Sequence, residues 1–415
     1  MNQHSNSAPV FTVDEARAAV IAAIAVTCDT DSLPLAEALG RVTCNTTYAE
    51  VSIPPFRNSA MDGYAIRFQD YQPGITFTVV GKSLAGHPFD GKLEKSTAVK
   101  ITTGAQVPVD ADTIIIVENT TLSDNQMSIN EPPTRHQHLR NVGDDIQQGT
   151  IVIEANTRLS AAHLGLLAAQ GLKTVDVFSQ PRIGVFSTGD ELCEAGQPRF
   201  EGAIYDSNRI AICTMLRNAG YVADDIGIAR DDQADLQNLL THNQDKYDFL
   251  LSSGGVSVGE ADYVKAALEE NGTLQFWKVA MKPGKPMVTG KLKSGAYYFG
   301  LPGNPVSSMV TCAQFVIPAL RSFEGLPHRP TPIMQATCDT RLRKDAGRFE
   351  FQRGIYRVDK QGGLQVTTTG LQDSHVLHSM GQANCFICLD AQSTGAEVGQ
   401  VVSIQLFDTV AGLTG

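Results

Sequence analysis

Apolar runs and helical patterns alternate regularly through the second half of the chain. Short apolar runs occur in RIGVFSTG, YVADDIGIA, DFLLSSGG and YYFGLPGN, and a segment with apolar residues at helical spacing follows each of them. Regular β–α alternation with continuously apolar strands is typical of a parallel sheet that is covered by helices on both faces. The pattern therefore predicts an α/β domain over residues 177–327.

The first part of the chain shows two other patterns. Helical spacing extends to about residue 50, with a capping box formed by Thr12 and Glu15, and it returns at RLSAAHLGLLAAQ. Between these segments, short strand-like runs alternate with Gly, Pro and Asp turns. We therefore predict a helical linker domain from residues 9–51 and 154–176, with a β-rich domain inserted over residues 52–153.

The last part of the chain is strand-like again. The runs RFEFQRGIYRV, LQVTTTG, CFICLD and VVSIQLF have the spacing of a small barrel or sandwich. They predict a C-terminal β domain over residues 328–415. The expected fold class is thus a multidomain α/β plus β protein, with a parallel-sheet α/β domain, an inserted β module and a C-terminal barrel-like domain.

Composition and charge exclude several classes of function. The chain has 415 residues, of which 42% are hydrophobic and 19% are charged, as in ordinary globular proteins. A net charge of −11 and a sequence pI of about 5.3 argue against a nucleic-acid partner. The longest apolar run, AAVIAAIAV, is shorter than the roughly 20 residues that span a bilayer. We expect no membrane association and a cytoplasmic location.

The eight cysteines do not suggest a disulfide scaffold, because they are sparse in a chain of this length. Cys385 and Cys388 form a C-x-x-C pattern, but its apolar setting favours a core strand over a metal or redox site. His136 and His138 lie in a polar stretch beside arginines, which favours a solvated loop over a metal site.

Polar loops follow the predicted strands at the edge where a parallel sheet binds its ligands. They are rich in Gly, Ser and Asn, which expose backbone N–H groups to an anion. Carboxylates suited to a hard metal ion and lysines suited to phosphate occur in the same loops: Asp190, Glu191, Asp231, Asp232, Glu260, Asp262, Lys278, Lys282 and Lys285. Together they indicate metal-assisted chemistry on a phosphorylated ligand.

The segment SSGGVSVGEAD (252–262) is the most specific of these loops. Its two glycines after a strand allow the backbone to approach a ligand closely, and its serines add hydroxyl donors. Read one at a time, several residues also have a structural interpretation as a helix-start charge, a turn residue or a surface charge: Asp262, Asp190, Glu191, Asp62, Asn304 and Arg353.

Taken together, these motifs resemble one family. NSAMDGYA, VGDDI, FSTGDEL, IYDSNR, SSGGVSVGEADY, KPGKP, GLPGNPVS, FQRG and TTTG-x-x-x-S-H occur in the order found in the molybdopterin molybdenumtransferases, the MoeA and gephyrin E-domain family. The resemblance covers nearly the whole chain. It implies that the protein inserts molybdenum from molybdate into adenylylated molybdopterin, releases AMP and uses a divalent metal, usually Mg²⁺.

The resemblance also implies the site residues. It implies acidic functional positions at Asp62, Asp145, Glu191, Asp231 and Asp262, with Glu191 and Asp262 as the metal ligands. It implies substrate-binding positions at Thr103, Ser252, Gly254, Gly255, Ser257, Lys278, Lys282, Pro302, Asn304, Pro305, Arg353 and Ser374. Lys278 and Lys282, with Arg353 and Ser374, would bind molybdate, and the glycine-rich loops would hold the pterin-side phosphate.

Other functions and partners follow from the same resemblance. The alternatives are a molybdopterin adenylyltransferase, which does not need the inserted β module, and a scaffold protein with an E-type domain. Family members of this kind are homodimers, so we expect a homodimer, with the molybdopterin adenylyltransferase as a further possible partner. Molybdate and tungstate have nearly the same size and charge, and the sequence does not distinguish between them.

Overall fold

A computed structural model describes residues 10–255 and 270–407. The strands of the first part of the chain are β1 (Val10–Phe11), β2 (Thr30–Pro34), β3 (Thr47–Tyr48), β4 (Asn58–Ser59), β5 (Gly63–Ile66), β6 (Thr76–Ser83), β7 (Thr97–Ile101), β8 (Thr113–Ile116), β9 (Thr120–Ser123), β10 (Gln126–Ile129), β11 (Leu139–Arg140), β12 (Ile151–Ile153) and β13 (Thr174–Phe178). Those that follow are β14 (Ile183–Thr188), β15 (Leu192–Cys193), β16 (Ile204–Tyr205), β17 (Ala223–Ala229), β18 (Phe249–Ser253), β19 (Gly272–Val279), β20 (Met281–Lys282), β21 (Pro286–Leu292) and β22 (Tyr297–Leu301). The last are β23 (Met334–Cys338), β24 (Leu342–Arg343), β25 (Phe349–Val358), β26 (Leu364–Thr368), β27 (Cys385–Leu389), β28 (Gly395–Ala396) and β29 (Val401–Leu406).

Fewer of the described residues lie in α-helices than in strands. They are α1 (Val13–Ala22), α2 (Ala161–Ala169), α3 (Asn208–Asn218), α4 (Gln233–Asn243), α5 (Pro305–Thr311), α6 (Ile317–Phe323) and α7 (Leu377–Gln382). One π turn, Cys312–Val316, joins α5 to α6.

The chain divides into two compact units. The first comprises Met1–Asp31, Gly40–Val42 and Phe178–Gly415, and the second comprises Ser32–Leu39 and Thr43–Val177. The four predicted domains, with their boundaries, stay predictions.

A seven-stranded mixed sheet forms the centre of the first unit, in the order β1-β19-β21-β22-β18-β14-β17. The strands β22, β18, β14 and β17 are parallel, as the alternating pattern predicts. Strand β21 runs antiparallel between β22 and β19. One face packs against α1, α3, α5 and α6, while the other packs against α4. The predicted helix ADYVKAALEENG lies mostly outside the described residues.

The C-terminal strands form a closed barrel, again within the first unit. The order β25-β26-β23-β29-β27 closes through a further pairing of β25 with β27. The barrel encloses its own apolar core. Cys385 and Cys388 are free, buried thiols on β27, which confirms the core-strand interpretation of the C-x-x-C pattern.

A six-stranded sheet in the order β8-β5-β7-β6-β10-β9 forms most of the second unit. Gly63 on β5 is required by close packing, because a Cβ there would lie 1.9 Å from the carbonyl oxygen of Ile115. This accounts structurally for the glycine of NSAMDGYA. Helix α2 packs in a separate small core of the same unit.

The prediction of helix up to about residue 50 is correct only for α1. The capping box is present, since the Thr12 hydroxyl accepts from the Glu15 N–H at 3.2 Å and the Glu15 carboxylate accepts from the Thr12 N–H at 2.8 Å. Beyond Ala22 the prediction is wrong, because β2 alternates between exposed and half-buried residues and pairs with β13. After Pro34, the last residue of β2, the LAE segment forms a single 3₁₀ turn.

One helical segment, Pro305–Phe323, is long and apolar enough to cross a membrane by length and composition, but 72% of it is buried inside the protein. This central helix lies in the hydrophobic core that also contains α1 and α3. Its residues Val306, Val310, Phe315 and Leu320 are buried there. Burial of this kind is typical of the core helix of a globular protein, and it makes this helix weak evidence for a membrane span.

Pro318 interrupts the hydrogen bonding of this central helix. Proline has no N–H, so the carbonyl of Gln314, four residues earlier, loses its α-helical donor. Arg17 of α1 takes that place, because its Nε donates to the Gln314 carbonyl at 3.0 Å and its Nη2 donates to Gln314 Oε1 at 2.6 Å. Gln314 Nε2 in turn donates to Gln405 of β29 at 3.3 Å. One glutamine thus joins α1, the central helix and the barrel.

The only tryptophan of the chain, Trp277, is buried in the same hydrophobic core as the central helix. It packs edge-on against Phe11, with ring centroids 5.0 Å apart. Its Nε1 donates to the hydroxyl of Thr289 at 2.7 Å. The indole is therefore fixed between β1, β21 and the residues of α1 that cover the sheet.

We predict that Arg17→Ala lowers the free energy of unfolding by about 1–3 kcal/mol, because it leaves a buried carbonyl without a donor. The measurement is the denaturant midpoint of the first unit's transition. Asp14→Ala is the matched control, because it removes the ion pair of Arg17 with a side chain that is 91% exposed. Such a pair contributes about 0–1 kcal/mol. Equal effects of the two changes would contradict the role given to the Gln314 carbonyl.

Candidate functional site

The carboxyl ends of β14, β18 and β22 meet at one point of the sheet. Gly254, just after β18, has φ +98°, and a Cβ there would lie 2.5 Å from the carbonyl oxygen of Thr188. Its N–H donates to the carbonyl of Leu301 at 3.1 Å. A Cβ on Gly303 would lie 3.7 Å from the Cα of Gly254. Three loops are therefore in backbone contact, with Gly254 between the other two.

The amino end of α3 joins these loops through Asn208. Its Nδ2 donates to the Ser253 hydroxyl at 2.8 Å and to the Gly303 carbonyl at 2.6 Å. The preceding Asp206 accepts from the N–H groups of Asn208 and Arg209 at 3.0 and 3.3 Å. The Asp206 carboxylate therefore caps this helix, since Ser207 makes no side-chain cap bond.

The two serines at the end of β18 point in different directions. Ser253 faces Asn208, as described above. Ser252 was expected to contact the substrate, but its hydroxyl is buried and bonded to the Tyr298 hydroxyl at 2.6 Å. Burial raises the pKa of Tyr298 to about 12, so this phenol stays protonated. The Ser252 hydroxyl faces away from Asn208, because adjacent residues of a strand face opposite sides of the sheet. A role of Ser252 in substrate binding stays a prediction.

Several predicted residues of the neighbouring loops can also be placed. Gly255 has φ +68°, which favours glycine at this turn. Pro302 is buried, and Pro305 is the first residue of α5, where proline is favoured. Ser257, Glu260 and Asp262 lie outside the described residues.

Asn304 and Ser374 contact each other at the start of α5. Asn304 precedes the helix but makes no side-chain cap bond. Its Nδ2 instead donates to the Ser374 hydroxyl at 2.9 Å, and the N–H of Val306 donates to the Ser374 carbonyl at 3.2 Å. The loop that carries Ser374 therefore lies against the α/β part of the first unit.

Arg353 holds that loop in place through hydrogen bonds. It is 1% exposed, and four of its N–H groups donate to the Ser379 hydroxyl and to the carbonyls of Leu371, Gln372 and Asp373. Burial lowers the pKa of its guanidinium to about 10. Arg353 was expected to bind an oxyanion directly or to be a surface charge. The structure corrects the surface interpretation and makes Arg353 chiefly a support of residues 371–373.

Of the predicted lysines, Lys278 lies on β19 and Lys282 lies beside the turn that packs against α5. Gly284 has φ +105°, and a Cβ there would lie 2.8 Å from the Thr311 hydroxyl. Lys278 is exposed on β19. Lys282 pairs with Glu350 at 3.2 Å, and this carboxylate is 5% exposed. Among the described residues, the exposed ammonium of Lys278 makes no ion pair, whereas the charge of Lys282 already stabilises a buried acid.

The acidic loops have distinct local roles. The exposed Glu191 carboxylate folds back over Gly189, where a Cβ would lie 2.6 Å from its Oε2. Asp190 accepts from the Asp231 N–H at 3.3 Å. Asp232 caps α4, accepting from two N–H groups at 2.9 and 3.0 Å. Among residues 10–255 and 270–407, no group of three His, Cys, Asp or Glu side chains is arranged to hold a metal.

The second unit carries the remaining predicted residues. The exposed Asp62 carboxylate accepts from the N–H of Thr103 at 2.7 Å and from its hydroxyl at 2.8 Å, and these two bonds lower the pKa of Asp62. Asp145 is exposed and follows a turn in which Asp144 accepts from the Asn141 N–H at 2.6 Å. The structure thus brings Asp62 and Thr103 together and places Asp145 in another loop of the unit.

Sequence reasoning missed the part played by Asn208 and Arg209. Arg209 is buried and pairs with Glu194 at 2.5 Å and with Asp225 at 2.7 Å, which anchors the segment between β15 and α3. Both residues belong to the IYDSNR motif, and they follow an acid that can cap a helix. The pattern predicts a helix that starts near Asn208, but it does not show that the Asn208 side chain bonds to the loops after β18 and β22.

Comparison with known proteins gives matches along almost the entire chain. Family models match in the order "MoeA N-terminal region (domain I and II)" over residues 11–171, "Probable molybdopterin binding domain" over 184–322 and "MoeA C-terminal region (domain IV)" over 335–407.

Individual relatives match over the same extent. A molybdopterin molybdenumtransferase of Haemophilus influenzae is 38% identical over 97% of this chain and 100% of its own length. Molybdopterin molybdenumtransferase 2 of Mycobacterium tuberculosis is 35% identical, over 94% and 97%. The crystal structure of a molybdopterin biosynthesis MoeA protein from Pyrococcus horikoshii OT3 matches with a TM-score of 0.82 and 26% identity, over 96% of this chain and 100% of that one. The chain therefore belongs to the MoeA family of molybdopterin molybdenumtransferases.

Proposed function

We propose that the chain transfers molybdenum from molybdate to adenylylated molybdopterin and releases AMP. The observation that carries this proposal is the meeting of three loops at the strand ends, where Gly254 and Gly303 are in contact and Asn208 bonds to both loops. Loops of this kind bind phosphate through backbone N–H groups. The family membership supports the same reaction.

The side chains around the loops suit the second substrate, molybdate. A net charge of −11 repels oxyanions, so a local positive group is needed to bind one. Lys278 offers an exposed ammonium, and Lys282 lies two residues before Gly284 in the turn that packs on α5. Ser374 adds a hydroxyl next to Asn304. We assign molybdate to Lys278, Lys282 and Ser374, with Arg353 holding the loop of Ser374.

A magnesium ion fits the acids available to this site. Mg²⁺ usually keeps several waters and is bound by one or two carboxylates and by substrate phosphates. The exposed carboxylate of Glu191 meets that need, and Asp262 would be the second ligand, although it lies outside the described residues. When bound, Mg²⁺ would neutralise charge on the phosphates and on the departing AMP.

The decisive experiment mixes the purified protein with adenylylated molybdopterin, molybdate and Mg²⁺ and follows AMP. Release of AMP that requires molybdate supports the proposal. Consumption of ATP with unmodified molybdopterin would instead indicate an adenylyltransferase. A protein that binds the pterin but performs neither reaction would be a scaffold.

We further propose a cytoplasmic homodimer, with the molybdopterin adenylyltransferase as a partner that supplies the adenylylated substrate. The eight free cysteines suit a reducing compartment. Recovery of the protein in a membrane or secreted fraction would contradict the location. A single-chain mass in solution would contradict the dimer.

Loss of a metal-orienting carboxylate should slow the reaction and leave the fold unchanged. We expect Glu191→Ala and Asp262→Ala to reduce the rate of AMP release at least about tenfold, a barrier change of roughly 1.4 kcal/mol. Glu201→Ala is the control, because Glu201 is an exposed acid in the segment after β15. A near wild-type rate for either variant would remove that residue from the site.

The lysines should affect one substrate more than the other. We expect Lys278→Ala to raise the half-saturating concentration of molybdate several-fold and to change that of adenylylated molybdopterin little, because the ammonium contacts only the oxyanion. Lys282→Ala should do the same but also lower stability, since it leaves Glu350 buried without its partner. Lys293→Ala, at an exposed position after β21, is the control. Equal weakening of both substrates would show a general electrostatic effect.

We propose that each active site joins Glu191 of one chain to Asp62 of the other, so that a two-fold dimer carries two composite sites. Asp62→Ala and Glu191→Ala, each expected to have strongly reduced activity alone, are mixed after reversible dissociation. Random mixing makes half of the dimers mixed, each with one complete site, so activity should return to about a quarter of wild type. An inactive mixture would contradict shared sites.

A further inference from the structure

A single side chain, Asn208, bridges two of the three loops. Both hydrogen bonds of its Nδ2 group cross between chain segments that are far apart in sequence, to Ser253 at 2.8 Å and to the Gly303 carbonyl at 2.6 Å. These acceptors flank the direct contact between Gly254 and Gly303. The carboxamide therefore sets the spacing between the two glycine turns.

Asn208 does not have the usual helix-capping role of an asparagine. It is the first residue of α3, and the N–H groups at this end are satisfied by Asp206 instead. Asp206 is itself buried, and its other oxygen lies 3.4 Å from Nη1 of Arg209. Arg209 also pairs with Glu194 and Asp225. The backbone of Asn208 is thus fixed by charged groups, which leaves its side chain available for the two loops.

The chemistry of the carboxamide is specific for this arrangement. Its NH₂ group offers two donors, whereas a serine hydroxyl offers one and an ionised aspartate offers none. The Ser253 hydroxyl and the Gly303 carbonyl each accept one of these two donors. The carboxamide can therefore bind both loops at once, which neither a hydroxyl nor a carboxylate can do.

We propose that Asn208 is a positioning residue that holds the turns at 254–255 and 303–304 at the separation required by the phosphate of the adenylylated pterin. The inference rests on the proposed function, because that function identifies the anion. Asn208 acts through the two turns and has no direct part in bond breaking.

The test compares Asn208→Ala and Asn208→Asp with wild type in the AMP-release reaction. The aspartate keeps the size of the side chain and loses the donors, so it separates lost packing from lost hydrogen bonds. Ser207→Ala is the matched control, since it changes the neighbouring residue without removing a side-chain cap bond. Unfolding midpoints are measured for all variants.

We expect both Asn208 variants to raise the KM for adenylylated molybdopterin about tenfold, which corresponds to roughly 1.4 kcal/mol of lost binding. The half-saturating molybdate concentration and the unfolding midpoint should stay near those of Ser207→Ala. Asn208→Asp should be the weaker binder of the two, because its charge faces a carbonyl and a phosphate. Ser253→Ala combined with Asn208→Ala should raise KM no further than Asn208→Ala alone, since both remove the same contact.

The inference is overturned if the Asn208 variants bind the pterin like wild type, if both substrates weaken equally together with a lower unfolding midpoint, or if the two single effects multiply in full. These outcomes differ from failure of the proposed function, which appears in the wild-type protein as absence of AMP release. Should that occur, titration of the same variants with adenylylated molybdopterin still measures how much the hydrogen bonds of Asn208 contribute to pterin binding. If Asn208→Ala does not fold, the size-matched aspartate variant carries the test.

Discussion

The close approach of Gly254 to the carbonyl of Thr188 is the constraint on which the site depends. No residue with a Cβ fits there, because the added atom would lie 2.5 Å from that oxygen. The approach brings the ends of three parallel strands into backbone contact. In a protein with a net charge of −11, a local site built from backbone donors can attract an anion without a large basic surface.

The helix that follows β22 extends this arrangement toward the barrel. Its amino end meets Ser374, whose loop is held by the buried guanidinium of Arg353. Its first turns pack against Gly284, and its later part is joined to α1 and β29 through Gln314. The helix therefore connects the strand-end loops with parts of the chain that supply lysine and hydroxyl groups. A buried arginine can support such a loop because its planar fork reaches several carbonyls at once.

The sequence predicts the periodic parts of this structure well and the directions of individual side chains poorly. The parallel strands, the capping box at Thr12 and the strands of the barrel follow from local patterns. Ser252 and Ser253 are neighbouring residues of the same type, so the sequence does not distinguish them. Only the orientation of β18 decides which one faces Asn208. Arg353 carries the charge of a surface residue, and its burial depends on carbonyls about twenty positions away. The helix expected after Ala22 fails because β13, far along the chain, offers a strand partner.

The position of Trp277 has a spectroscopic consequence. A single indole, fixed against Phe11 and bonded to Thr289, gives the emission of the whole chain one structural origin. Its emission wavelength reports how much water reaches the indole. Trp277 belongs to the first unit, so fluorescence under selective excitation would follow the opening of that unit, while far-ultraviolet dichroism would follow both units. Comparing the two signals during denaturation would show which of the two units unfolds first.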